Sequence, residues 1–117
     1  MRALSLQAQR LFALVRANAV DEISALLAAD PSLAAARDDA GGTPLMLACS
    51  AGRRRLTKLL VRAGCPLDAQ NQRGQTALHL AVGFGHAALA DYLVACGADR
   101  QRVNAYGLGP FDGLVRK

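Results

Sequence analysis

Three stretches of this chain repeat one another at a fixed step. Gly41-Gly42-Thr43-Pro44-Leu45 returns as Gly74-Gln75-Thr76-Ala77-Leu78 and again as Gly107-Leu108-Gly109-Pro110-Phe111, 33 residues later each time. Apolar positions keep the same step: Phe12, Leu45, Leu78 and Phe111; Leu14, Leu47 and Leu80; Ile23, Leu56 and Leu89; Leu26, Leu59 and Tyr92; Leu27, Leu60 and Leu93. A period of this size marks a stacked array, in which each unit is too small to bury its own apolar face and uses its neighbours to do so. The first segment joins the array through its apolar columns although it lacks the glycine turn.

Each unit is predicted to hold two helices. Thr43 is a good N-cap, and Pro44 suits the first helical position, where an N–H would go unpaired anyway. Leu56, Leu59 and Leu60, like Ile23, Leu26 and Leu27, fall at the i, i+3, i+4 spacing of one helical face. Gly64 and Gly97 are expected to end the second helices in the left-handed conformation, and Pro31 to end that of the first unit. Composition agrees: the apolar content is dominated by 24 alanines and 19 leucines, with aromatics at 4%. That mix favours closely packed helices and disfavours a β-sandwich or barrel. A chain of 117 residues fits one domain that buries roughly 65% of its unfolded surface, enough for a core without metal or disulfide.

The motifs Gly41-x-Thr43-Pro44-Leu45-x-Leu47-Ala48 and Gly74-x-Thr76-Ala77-Leu78-His79-Leu80-Ala81, with Gly85-His86 and Gly97-Ala98-Asp99, resemble the ankyrin repeat. The resemblance runs from about Leu6 to the last residues. It implies an all-α solenoid of three helix pairs plus a partial fourth, with repeats at about 5–37, 38–70, 71–103 and 104–117. Short β-turn fingers would project at Arg37 to Gly42, Gln70 to Gln75 and Val103 to Leu108. It also implies a concave surface of fingers and first helices that binds other proteins. His79, three residues after Thr76, is placed to reach back to the cap, which Met46 cannot do. Asp112 holds the corresponding place in the last unit. Gly113 occupies the Leu14, Leu47, Leu80 column there, so Phe111, Leu114 and Val115 are expected to form a weak cap. The chain is expected to be a monomer, with association through that end as the alternative.

Catalytic, cofactor and metal chemistry find no constellation, and the chain is expected not to be an enzyme. Gly83-Phe84-Gly85-His86-Ala87-Ala88 fits G-x-G-x-x-A, but Leu78 to Val82 are helical by register with Leu45 to Cys49, and the dinucleotide motif needs a strand there. Cys49, Cys65 and Cys96 have no C-x-x-C spacing, and with His79 and His86 they read as packing or surface residues. Their odd number and the absence of a signal-peptide core after Arg2 point to reduced thiols in a cytoplasmic or nuclear setting. No apolar run approaches the ~20 residues of a bilayer span.

Net charge is +5, and its densest source is Arg53, Arg54, Arg55, Lys58 and Arg62. Helical spacing sets these opposite the Leu56, Leu59, Leu60 face, as a solvated outer stripe. No aromatic lies near them in sequence, so nucleic acid is not the expected partner. The candidate binding residues lie on the fingers and first helices: Asp39 and Ser50; Gln72, Arg73, Gln75 and Phe84; Tyr106 and Leu108. Arg73, Phe84 and Tyr106 are expected to converge on one stretch of the concave side, although Phe84 could instead lean over Leu80, one helical turn earlier. A protein partner bound there is the primary reading. A basic surface binding nucleic acid or another anion through Arg53 to Arg62 is the alternative, with a regulatory piece of a larger complex as a third.

Overall fold

The computed structural model describes residues 5–112. Among these residues it holds six α-helices and no strand: α1 (Leu6–Arg16), α2 (Val20–Ala29), α3 (Pro44–Ala51), α4 (Arg54–Arg62), α5 (Ala77–Gly83) and α6 (Ala87–Ala95). They form three antiparallel pairs. The first helices make one layer, in which α3 packs on both α1 and α5, and α2 meets α4 in the other layer. The stack measures 47 × 33 × 22 Å.

Local chemistry sets the helix ends. Thr43 Oγ1 accepts the N–H of Met46 at 3.2 Å, and Thr76 Oγ1 that of His79 at 3.2 Å. Ser5 caps α1 in the same way. Gly64 and Gly97 follow the C-caps of α4 and α6 with φ of 94° and 104°, as expected. Pro31 ends the first pair but also opens a 3-10 turn, Pro31–Ala35, that buries Leu33 and Ala34. The core between the layers contains Leu11, Ile23, Leu45, Leu56, Leu60, Leu78 and Leu93, each at most 1% exposed, with Leu89 beside them at 3%.

The first unit departs from the 33-residue step. Its inter-helix turn is closed by the amides of Asn18 and Ala19 on the carbonyls of Val15 and Leu14; the same bonds come from Gly52 and Arg53, and from Gly85 and His86, in the later units. Gly52 therefore answers to Asn18, 34 positions earlier, and to Gly85, 33 positions later. Leu11 and not Phe12 stands in the column of Leu45 and Leu78, and Leu14 aligns with Ala48 and not Leu47. α2 is one residue longer than α4 and α6, and Ile23 and Leu27 are buried in it as Leu56 and Leu60 are in α4.

At the other end Asp112 accepts the N–H of Gly109 at 2.7 Å, the capping role expected of it. Phe111 is half-buried, with the Arg100 guanidinium 5.6 Å above its ring. The rest of the expected weak cap, Leu114 and Val115, lies outside the described residues, as does Gly113.

Candidate protein-binding surface

One side chain closes each finger. Asp38 Oδ1 accepts the amides of Ala40 and Gly42, Asn71 Oδ1 those of Arg73 and Gln75, and Asn104 Oδ1 those of Tyr106 and Leu108. Short Asx side chains do this because their oxygen reaches amides two residues on without strain. Neighbouring fingers are then joined. Gln72 N–H donates to Ala40 O at 2.9 Å, and Ala105 N–H to Arg73 O at 2.8 Å. Arg37 donates to Gly41 O in its own finger and to Gln70 O in the next, and Gln70 repeats the bridge from Gly74 O to Val103 O.

His79 belongs to this frame as well as to α5. Its Nδ1 accepts the Thr76 amide at 3.1 Å, completing the expected reciprocal cap. Its Nε2 therefore carries the proton and donates to Leu108 O at 2.9 Å, tying the start of α5 to the third finger. His86 makes a similar tie, with Nε2 3.1 Å from Ser50 O.

On this frame the proposed residues fall into two groups. Asp39, Gln72, Arg73 and Tyr106 are exposed on the fingers, and Gln72 Nε2 also donates to Asp39 O at 2.9 Å. The Ala105–Arg73 bond holds the Arg73 and Tyr106 fingers side by side. Gln75 and Leu108 sit at finger bases, where their carbonyls take the Asn71 and Asn104 amides. Phe84 and Ser50 form the second group. Phe84 is 62% exposed and lines a concave groove of about 230 Å³ together with Ser50, Leu47, Leu80, Met46 and Asn71. Phe84 thus shares its groove with Leu80, one helical turn earlier, and faces the second unit. Among the described residues the exposed large hydrophobics are Leu6, Phe84, Val103, Tyr106 and Leu108; four of the five are on the fingers or at the end of α5.

Several contributors are not evident from sequence. Leu47 and Leu80, core columns by periodicity, are only half-buried and floor this groove. The Asp38, Asn71, Asn104 column, at the same 33-residue step, is the signal in the sequence for the finger clasps.

On the opposite face Arg53, Arg54, Arg55, Lys58 and Arg62 are all exposed, as expected. One expectation fails there: an aromatic does lie beside them. Lys58 Nζ sits 5.6 Å from the centroid of the Tyr92 ring, because stacking brings together residues 34 apart in sequence. Cys49 and Cys65 are buried and Cys96 is exposed, all as free thiols. Burial pushes the Cys49 thiol up to about 12, against the pull of its Thr57 hydrogen bond. Among the described residues no group of three His, Cys, Asp or Glu could hold a metal ion, and no helix is long and apolar enough to cross a membrane.

A family model described as ankyrin repeats (3 copies) matches residues 11–104. The chain belongs to the ankyrin-repeat family. Similar ankyrin-containing relatives include mouse NF-kappa-B inhibitor alpha, 41% identical over 60% of this chain and 23% of that protein. Human protein phosphatase 1 regulatory subunit 27 is 38% identical over 52% of this chain and 40% of its own length. The rice probable E3 ubiquitin-protein ligase XBOS32 is 32% identical over 86% of this chain and 20% of its own. The chain thus spans less than half the length of each of these relatives. Ankyrin arrays in general act by binding other proteins on an extended concave surface.

Proposed function

We propose that this chain is a non-catalytic protein-binding module that holds its partner on the concave side, between the fingers and the layer of α1, α3 and α5. The observation that carries this reading is the gathering of exposed apolar side chains there, with Phe84 over a groove floored by Leu47 and Leu80. Aromatic and Arg side chains that become dry on binding concentrate binding energy. Phe84 is the anchor, and Arg73 and Tyr106 on adjacent fingers extend the contact, with Asp39, Ser50, Gln72, Gln75 and Leu108 completing the surface. The words inhibitor and regulatory subunit in the names of two relatives support a role in which binding is itself the activity, as part of a larger cytoplasmic or nuclear assembly.

The test is affinity capture from cell extract with the wild-type chain and with Phe84→Ala and Tyr106→Ala as baits. The specific partner should be lost from both variants, each falling about thirtyfold in affinity, or about 2 kcal/mol, with the helical circular dichroism unchanged. A partner held equally by all three baits refutes the assignment.

A further inference from the structure

The positive charge of this chain is gathered on one helix. Residues 40–67 contain no Asp or Glu but all of Arg53, Arg54, Arg55, Lys58 and Arg62. The other described residues carry six bases against nine acids, a net of −3. Asp21 and Glu22 of α2 line a depression with Arg53, Arg54 and Arg55. The described ion pair within 4 Å is Arg102–Asp99, elsewhere on the molecule.

Beside this charge lies an apolar channel. Between α2 and α4, on the outer side, Leu27, Ala28, Pro31, Leu59 and Ala63 line a shallow groove of about 370 Å³ with Arg62 at its rim. Arg55, Leu59 and Arg62 follow one another at helical spacing along the α4 edge, so half-buried Leu59 stands beside the basic stripe and not opposite it as expected, where Leu56 and Leu60 are buried. The lining of the channel runs from Ser24 to Pro31 on one side and from Leu59 to Ala63 on the other, so the channel is ~10 Å long, about two turns of another helix.

We propose that this outer channel receives an acidic amphipathic helix from a protein partner, its apolar side chains seated between Leu27 and Leu59 and its carboxylates paired with Arg55 and Arg62. Charge complementarity selects the sign of the partner, and the apolar floor selects its class. An amphipathic helix lays apolar side chains into such a groove, whereas a phosphodiester backbone has none to place there. Nucleic acid would also use an open aromatic for base stacking, and the Tyr92 ring lies under Lys58. The site is separate from the concave surface, so the chain could hold two partners at once.

A display library of helical peptides of about 14 residues, a length at which an isolated helix begins to hold, with three Leu on one face over about two turns and all other positions randomised, would be panned on the full chain. Enriched peptides should be acidic on the flanks of the Leu face. A synthetic copy should bind at least tenfold more weakly, a difference of about 1.4 kcal/mol or more, to Arg55→Glu/Arg62→Glu and also to Ala28→Arg, which fills the channel from an exposed position. Circular dichroism checks that each variant is folded. The proposal is overturned by no enrichment over the unpanned library, by enriched peptides without net negative charge, or by indifference to Ala28→Arg. Loss of the peptide with Phe84→Ala would place it on the concave side and would equally overturn the proposal. A short oligo(dT) strand binding more tightly than the peptide, regardless of Ala28→Arg, would make the stripe a nucleic-acid site and end the reading.

Discussion

Gly41, Gly74 and Gly107 offer a controlled experiment within one molecule. All three hold the same place in a finger, with φ of 79°, 75° and 77°, so alanine at any of them meets the same backbone penalty. Left-handed geometry costs an L-residue about 1 to 2 kcal/mol, of which about 0.4 to 1 is recovered because alanine restricts the unfolded chain. What differs is the space. A Cβ at Gly107 meets nothing within 4 Å, and one at Gly41 meets the next finger at 3.4 Å. A Cβ at Gly74 would lie 2.7 Å from Ala105 N and 2.9 Å from Asn104 C, both backbone atoms. The third finger must then retreat and give up the Ala105–Arg73 hydrogen bond, worth about 1 kcal/mol, with an overpacking cost of about 1 to 3 kcal/mol. The expected losses are about 1 kcal/mol for Gly41→Ala and Gly107→Ala and about 3 to 5 for Gly74→Ala. Thermal midpoints resolve this, since 1 kcal/mol moves a domain of this size by ~4 °C. If Gly74→Ala melts with Gly41→Ala, the fingers are not held at the described distance and the joined frame is wrong.

Leu60, with no exposed surface, should cost about 2 to 5 kcal/mol as Leu60→Ala in urea titration, through lost burial and the cavity left behind. His79→Ala removes both the Thr76 clasp and the bond to Leu108 O; a loss of about 2 kcal/mol is expected, with faster amide exchange at Thr76. Cys96 should react with a maleimide in the folded protein, while Cys49 and Cys65 should wait for unfolding. The Cys49 thiol also sets a pH dependence: an unfolded thiol ionises near 9 and the folded one near 12. The stability tied to its protonated form is full below pH 9 and is lost as pH rises towards 12; burial pushes the Cys65 thiol up as well, so Cys49→Ala should shrink this alkaline loss and leave the part that Cys65 contributes.

The sequence disclosed the fold wherever equivalent positions carried equivalent residues. Thr43 and Thr76, or Leu60 and Leu93, announce the repeat. The one-residue slip of α1 was hidden because Leu11-Phe12 and Leu14-Val15 are apolar doublets, so a step of 33 or 34 lands on an apolar side chain either way. At the candidate site the residue types were legible and their neighbours were not. Phe84 meets Ser50 and Leu47 of the preceding unit, and Lys58 meets Tyr92 of the following one. Both relations depend on how far side chains lean across the stack, which periodicity leaves open. Leu47 and Leu80 differ from expectation for a similar reason: helical spacing marks a face as apolar without saying whether another layer covers it.

The two backbone bonds between fingers run in one sense, from the amide of the later unit to the carbonyl of the earlier. A ribosome releases the chain from its N-terminus, so at each junction the acceptor emerges before its donor. The waiting group is a carbonyl, Ala40 O or Arg73 O, on an exposed finger where water can satisfy it. Each unit thus presents its half of the junction before the next one is made, and these bonds point from the newest unit back to the one already synthesised.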